Sequence, residues 1–260
     1  MTEKCILSSK KDGLGIIQLN RPSALNSLNH QMFYEMIEIM GNFENDPEVR
    51  AIVFTGTGEK AFCAGGDLNE ELALDTLGAY QWVKLAHSLY SRIEAGKKPT
   101  IAAINGYCLG GGFELSLACD MRICAPHAKM GAPESNVGVI CGFGGNLRLP
   151  RIVGSGRAKE MLMTGRMVDA EEAYRIGLVN HIAPEGELMS YVEQLCSQFT
   201  KKSAVVLEMI KTAVNYGSEM DMRSAIQFDC AMFAVACATE DRKEGMSAFL
   251  EKRKPEFKDR

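Results

Sequence analysis

Residues 101–114 read Ile-Ala-Ala-Ile-Asn-Gly-Tyr-Cys-Leu-Gly-Gly-Gly-Phe-Glu, an apolar run that passes into a row of glycines. The run extends from Thr100 to Asn105 without the polar–apolar alternation of a half-exposed strand, which indicates a strand buried on both faces. After the glycines, an apolar helix is expected to continue to Cys119. A buried strand that leads through a tight glycine loop into a helix is typical of α/β proteins.

The same order of elements extends to both sides of this stretch. Strands are expected at Cys5–Ser8, Gly15–Asn20, Ala51–Thr55, Met121–Ala125 and Leu178–Ile182, and helices at Asn29–Phe43, 68–95, Gly156–Thr164 and Asp169–Arg175. Residues 134–149 are dense in glycine and are expected to be irregular. From Gly186 to Phe249 the pattern is helical only. The sequence therefore predicts an α/β core over residues 1–183 and an all-helical region over residues 184–260.

Composition narrows the class of protein. The 260 residues suit one large domain, or one domain with a short appendage, and the formal net charge of −4 does not favour a nucleic-acid partner. The expected first helix, Asn29–Phe43, contains no Lys or Arg that could bind RNA phosphates. No apolar run is long enough to span a membrane, and Met1–Asp12 lacks the apolar core of a signal peptide, so a cytoplasmic protein is expected.

Cysteine and histidine usage predicts neither disulfides nor a metal site. The chain has nine cysteines, an odd number, and no C-x-x-C pair. Its four histidines are scattered, without the spacing that metal ligands usually show. We therefore expect the cysteines to be small buried side chains.

The glycine loops do not match common nucleotide-binding or hydrolase motifs. Gly56-Thr57-Gly58 follows a strand, but the residues after it do not resemble the first turn of a helix, which disfavours a dinucleotide site. The chain has no G-x-x-x-x-G-K-[ST] phosphate loop and no G-x-S-x-G nucleophile elbow.

Two other glycine segments, 61–67 and 105–114, each follow a buried strand and precede a helix. Their small residues allow a ligand to approach the backbone, and free N–H groups at a helix start can hold a developing negative charge. Tight packing between helix and strand explains the same glycines without any ligand. Glu114 and Glu134 are each compatible with ordinary helix-start chemistry. Together, beside two glycine loops, they suggest a general acid/base pair.

From end to end the chain resembles the enoyl-CoA hydratase/isomerase (crotonase) superfamily. The resemblance rests on Asn20-Arg21-Pro22 with Ala24-Leu25-Asn26, on segments 61–67, 101–114 and 142–149, on Pro133-Glu134, and on the closing segment 239–254. It implies a spiral of β-β-α turns whose C-terminal helices form a trimer, two of which commonly stack into a hexamer. It also implies an acyl-CoA thioester as substrate.

The resemblance assigns roles to individual residues. It implies an oxyanion hole for the thioester carbonyl, made by the backbone N–H groups of Ala64 and Gly111. It implies that Glu114 activates the water that attacks C3, that Glu134 delivers a proton to C2, and that Gly142 approaches the water or the acyl group. The activity implied is that of a hydro-lyase, which reversibly hydrates a short 2-enoyl-CoA to a 3-hydroxyacyl-CoA.

The family's coenzyme A contacts transfer to matching positions. They are Ser23, Ala24, Leu25, Ala61, Phe62, Cys63, Gly65, Gly66, Asp67, Leu68, Leu109, Gly110 and Pro133, with Phe249 and Lys252 placed to reach the CoA of a neighbouring subunit. Neither a cofactor nor a metal is implied, since coenzyme A is part of the substrate.

The chain also departs from the family pattern. Gly66 stands where many hydratases have Ala, and Cys141, Phe143 and Leu147 replace more usual residues. These changes leave the chain length and branching of the acyl group open. Two alternatives therefore stay open: an isomerase or a hydratase of a branched, dienoyl or cyclic acyl-CoA, and a CoA-binding protein without catalysis.

Overall fold

The structure, a computed structural model, describes residues 4–260, so the first three residues of Met1–Asp12 and of the expected core lie outside it. The strands are β1 Ile6–Lys11, β2 Leu14–Leu19, β3 Ala51–Gly56, β4 Ala61–Cys63, β5 Thr100–Ile104, β6 Tyr107–Leu109, β7 Met121–Cys124, β8 Lys129–Gly131, β9 Met167–Asp169 and β10 His181–Ile182. The helices are α1 His30–Asn45, α2 Leu68–Leu72, α3 Thr76–Ala95, α4 Gly110–Ala118, α5 Gly145–Val153, α6 Ser155–Thr164, α7 Ala170–Arg175, α8 Leu188–Cys196, α9 Ala204–Gly217, α10 Met222–Ala238 and α11 Glu240–Leu250.

The strands form two sheets that the chain visits alternately. The larger sheet has the order β1-β2-β3-β5-β7-β10 and is parallel except for the β1–β2 hairpin. The smaller sheet has the order β4-β6-β8-β9, with β9 antiparallel to β8. Each of β3, β5 and β7 is followed by a short strand of the smaller sheet and then by helical structure. The predicted α/β class and ββα spiral are therefore confirmed.

The buried strands hold the larger sheet between two apolar layers. All side chains of β3 and β5 are buried. One layer, with Val53 and Ile101 of the sheet, packs against Val192 and Cys196 of α8. This apolar cluster therefore continues across residue 184, where the sequence predicted a domain boundary. Helix α9 also packs on the core, where the Lys211 ammonium donates to the Ile93 carbonyl at 2.8 Å.

Helix boundaries follow from local capping and from tertiary contacts. The Asn29 side chain accepts a hydrogen bond from the Met32 N–H at 3.0 Å and starts α1. The expected helix over residues 68–95 is two helices, because Asp75 caps a new helix by accepting from the Gly78 N–H.

The expectation that residues 134–149 are irregular was wrong in part. Residues 133–137 form a 3₁₀ helix, and α5 begins at Gly145. The Gly145 N–H donates to the Glu114 carboxylate, a tertiary contact that glycine content alone cannot predict. Within residues 4–260, no helix is long and apolar enough to cross a membrane.

Candidate active site

A cavity of about 900 Å³ lies where the two glycine loops meet α2, α3 and the segment 133–143. Its size is within the range of small-molecule sites. Both Glu114 and Glu134 line it, as do Ala64, Gly66 and Gly111. Residues that are distant in sequence therefore meet in one cavity.

Glu114 is held rigidly by the loop that leads into α5. It lies on α4 and is 2% exposed, and its Oε1 accepts hydrogen bonds from the N–H groups of Phe143 at 2.8 Å and Gly145 at 2.7 Å. Burial raises the pKa of Glu114 to about 8, the nearby Glu134 charge adds to the rise, and the two N–H donors oppose it. The side chain is thus a preorganised carboxyl group that can exchange a proton near neutral pH.

Glu134 faces Glu114 across the cavity. It lies on the 3₁₀ helix Pro133–Val137, and its Oε2 is buried without a hydrogen-bond partner among the described residues. Burial also raises the pKa of this carboxyl. One ligand atom each of Glu114, Glu134 and Cys141 lies within 4.8 Å of the other two. Two carboxyl groups this close titrate as a coupled pair.

The third member of this group is Cys141. The sequence analysis did not predict that its thiol would join the two carboxyl groups as a possible metal ligand. Cysteine spacing in the sequence predicted no metal site, yet the fold brings this thiol to the two carboxyl groups. Burial, followed by the charges of Glu114 and Glu134, raises the pKa of the Cys141 thiol far above its usual value. Metals bind the thiolate, so these surroundings favour a neutral thiol that shapes the cavity.

The two backbone donors predicted for an oxyanion differ in their availability. The Ala64 N–H donates to the Leu25 carbonyl at 3.0 Å and is not free. Gly66 forms a parallel bridge with Leu28, in which the Gly65 C=O and the Asp67 N–H bond to Leu28. Groups alternate in direction along an extended chain, so the Gly66 N–H points to the opposite side. The structure therefore moves the free donor from Ala64 to Gly66, two residues further along.

The second donor, on Gly111, is free for a different reason. Gly111 is the second residue of α4, and the first four N–H groups of a helix have no partner within it. The Tyr90 hydroxyl donates to the Gly111 carbonyl at 2.8 Å and fixes this turn. A Cβ at Gly111 would lie 2.8 Å from the Phe143 ring, so only glycine fits. A Cβ at Gly65 would lie 3.9 Å from the Gly111 nitrogen, so the two loops are adjacent.

The structure brings some of the predicted CoA residues to the cavity and not others. The cavity is lined by eight of them: Ala24, Gly65, Gly66, Asp67, Leu68, Gly110, Pro133 and Gly142. The other eight do not line it: Ser23, Leu25, Ala61, Phe62, Cys63, Leu109, Phe249 and Lys252. Residues 61–63 form β4, whose side chains are buried in the core, and Phe249 is 84% exposed on α11.

Asp67 has a structural role besides its place at the cavity. Its carboxylate pairs with the Arg21 guanidinium at 2.8 Å and accepts from the Asn69 N–H, which caps α2. The Arg21 side chain also donates to the Ser27 carbonyl, so these bonds tie the Arg-Pro turn to the first glycine loop.

Several cavity residues were not identified from the sequence. Glu71, Leu74, Trp82 and Val83 come from the region expected to be one long helix, where no motif set them apart. An acid among apolar residues at helical spacing is common on helix surfaces, so the pattern carried no usable signal. The end of α2 and the new start at Asp75 turn these side chains toward the cavity.

Two carboxyl groups beside free backbone N–H donors form the arrangement of an acid/base enzyme that acts on a carbonyl compound. The enoyl-CoA hydratase/isomerase family model matches residues 9–260, and the chain belongs to this family.

Similar proteins support the same assignment. A short-chain-enoyl-CoA hydratase of Clostridium acetobutylicum is 40% identical over 256 residues, which cover 98% of each chain. A crotonyl-CoA hydratase of Syntrophomonas wolfei is also 40% identical, over 99% of each chain. The crystal structure of an enoyl-CoA hydratase from Bacillus anthracis superposes with a TM-score of 0.95 at 36% identity and covers 98% of this chain and 100% of that one. The resemblance stated from the motifs is confirmed.

Proposed function

We propose that this protein reversibly hydrates short-chain 2-enoyl-CoA thioesters to 3-hydroxyacyl-CoA thioesters, as a hydro-lyase. One observation carries the proposal: Glu114 and Glu134, both with raised pKa, meet in a cavity that also receives the N–H groups of Gly66 and Gly111. Relatives named for short-chain enoyl-CoA and crotonyl-CoA support the choice of acyl group.

The thioester carbonyl oxygen binds between the Gly66 and Gly111 N–H groups in this proposal. These donors polarise the conjugated double bond and hold the enolate-like charge that develops during addition. Each donor is worth about 3–4 kcal/mol in transition-state stabilisation in comparable sites. The groups are backbone N–H groups fixed by a strand and a helix start, so they need no reorganisation during the reaction.

The two carboxyl groups divide the proton transfers. The two N–H donors occupy Glu114 Oε1, so Oε2 is the oxygen that takes a proton from the water attacking C3. Glu134 Oε2 is buried, has no hydrogen-bond partner within residues 4–260, and delivers a proton to C2. In dehydration both transfers run in reverse. Water supplies the hydroxyl group at C3, and its remaining proton passes to Glu114 while Glu134 gives one to C2. Transfer of one proton from Glu114 back to Glu134 then restores the starting state of the pair.

The test of this function is turnover of crotonyl-CoA, followed as loss of the absorbance of the conjugated thioester. A 3-enoyl-CoA is assayed in parallel for gain of the same absorbance, which reports isomerisation. Hydration of crotonyl-CoA supports the proposal. If no 2-enoyl-CoA is hydrated but 3-enoyl-CoA is converted, the isomerase alternative replaces it.

The kcat/KM for hydration is expected to show a bell-shaped pH profile. The reacting form carries one proton on the carboxyl pair: with two protons there is no base, and with none there is no acid. Burial raises both pKa values, to about 8 for Glu114, so activity is expected to fall as pH rises through about 8. The measurement is kcat/KM from pH 5 to 10. A flat profile across pH 7–9 would contradict the pair's role.

We propose further that the helical region forms a trimer, alone or as half of a hexamer. The helices α10 and α11 expose large apolar side chains, among them Ile226, Phe233, Phe249 and Leu250. Exposed apolar patches of this kind mark interfaces. Phe249 and Lys252 lie outside this chain's cavity, which supports a contact with the CoA of a neighbouring subunit.

Sedimentation equilibrium tests the assembly. The wild type is expected at three or six times the mass of one chain. Phe233→Asp, which places a charge on the exposed apolar face of α10, is expected to lower that mass. A monomeric wild type would contradict the proposal.

A further inference from the structure

Among the polar groups of the cavity that the proposed mechanism does not use are the Glu71 carboxyl on α2 and the Trp82 indole N–H on α3. Both lie among apolar side chains, including Leu74 and Val83. A short hydrocarbon acyl group has no need of either. Polar groups in an apolar pocket usually fix the orientation of a ligand, so these two can select among acyl groups.

Trp82 offers a fixed donor without an acceptor. The residue is 3% exposed, and its Nε1 has no hydrogen-bond partner among the described residues. Its ring packs against the rings of His30, Phe33 and Phe143 at centroid distances of 4.3, 5.0 and 5.8 Å. The direction of the N–H is therefore set by packing, and a buried donor without a full partner is unfavourable for the fold.

Glu71 offers the matching acceptor. Burial raises the pKa of this half-buried carboxyl, and the charges of Glu134 and Asp67 add to the rise. The Trp82 indole N–H opposes the rise as a nearby donor to this carboxyl, but the contact falls short of a well-formed hydrogen bond. Each group therefore keeps hydrogen-bonding capacity that a bound ligand can use.

Gly66 makes room for this carboxyl. A Cβ at position 66 would overlap Glu71 Oε1, so alanine there would displace the carboxyl from its present position. Gly66 is also the position where the chain departs from the alanine of many hydratases. The glycine at position 66 and the acid that fills its space are thus physically coupled.

We propose that Glu71 and Trp82 bind a hydroxyl group on the acyl chain beyond C3, so that the preferred substrates are 2-enoyl-CoA thioesters with a distal hydroxyl. This inference rests on the proposed function. A hydroxyl group donates to Glu71 and accepts from the Trp82 N–H at once. An ammonium group cannot accept from the indole, and a terminal carboxylate is repelled by Glu71, Glu134 and Asp67. A methyl group leaves both protein groups unpaired, and sites of this kind discriminate against such analogues.

The test compares matched pairs of substrates. The 2-enoyl-CoA thioesters ending in a hydroxyl at C4, C5 or C6 are each compared with the methyl-ended chain of equal heavy-atom number. At one length or more, the ratio of kcat/KM for the hydroxyl member to the methyl member is expected to exceed about ten. In Glu71→Met and in Trp82→Phe this ratio is expected to fall toward one. In Glu38→Met, the same change on the exposed side of α1, it is expected to stay at the wild-type value.

A binding measurement separates failure of this inference from failure of the proposed function. Saturated acyl-CoA thioesters with and without the distal hydroxyl are titrated calorimetrically, and the same tenfold preference is expected in Kd. If the wild type hydrates 2-enoyl-CoA but prefers the methyl member at every length, the inference is wrong and the proposed function stands. If no 2-enoyl-CoA is hydrated while binding favours the hydroxyl, the function is wrong and the polar subsite stands. Equal ratios in the wild type and Glu71→Met overturn the inference.

Discussion

Replacing either Glu114 or Glu134 by glutamine is expected to lower kcat for crotonyl-CoA hydration by about 100-fold or more, the usual contribution of a general acid or base. Glutamine has nearly the shape of glutamate but cannot exchange the proton. At position 114 its carbonyl oxygen can still accept from the Phe143 and Gly145 N–H groups, so the loop before α5 keeps its anchor.

The two variants are expected to differ little in KM, because neither carboxyl is proposed to bind the CoA part of the substrate. The matched control is Glu38→Gln, which makes the same chemical change on the exposed side of α1 and should retain wild-type kcat. Initial rates at saturating crotonyl-CoA measure the effect. A fall of less than tenfold in either variant would show that its carboxyl takes no part in proton transfer.

The second large effect concerns stability: the substitution that lowers activity is expected to raise the free energy of unfolding. Glu114→Gln is expected to be more stable than the wild type at alkaline pH, because the wild type must bury an ionised carboxyl there. The pKa of Glu114 rises from 4.5 in the unfolded chain to about 8 in the folded protein. The folded state therefore binds more protons between these values, and its free energy of unfolding falls as pH rises through this range.

The size of this effect follows from the shift. Each pKa unit corresponds to about 1.4 kcal/mol, so the full cost is at most about 5 kcal/mol and is complete only above pH 8. Below pH 4.5 the carboxyl is protonated in both states and the cost is absent. Urea unfolding of the wild type and Glu114→Gln at pH 5 and pH 9 measures it. The difference between the two proteins should grow with pH, and a difference that stays constant would mean that Glu114 carries no burial penalty.

Together the two predictions describe one residue that is costly for the fold and necessary for the reaction. Two N–H groups donate hydrogen bonds to the Glu114 carboxylate and offset only part of the free-energy cost of its desolvation. The remaining cost is what places its pKa near neutral pH, where proton exchange is efficient.

Local patterns predicted much of the large sheet and most helices. Continuous apolar runs predicted β3 and β5, and apolar residues at helical spacing predicted α1. The second sheet was not predicted from residue patterns, because its strands have only three residues each and no periodicity can show in so short a segment.

The sequence by itself determined which chemical groups are present and which strands, loops and helix starts carry them. The glycine loops, Glu114 and Glu134 are readable in order along the chain, and their spacing identified the family. Only the tertiary structure decided which groups meet and which are free. The Ala64 N–H is used by Leu25 while the Gly66 N–H is not, and Glu71 and Trp82 come together from two helices. The physical reason is that a hydrogen bond, a burial cost and a cavity each depend on distances between residues far apart in the chain, which no local pattern records.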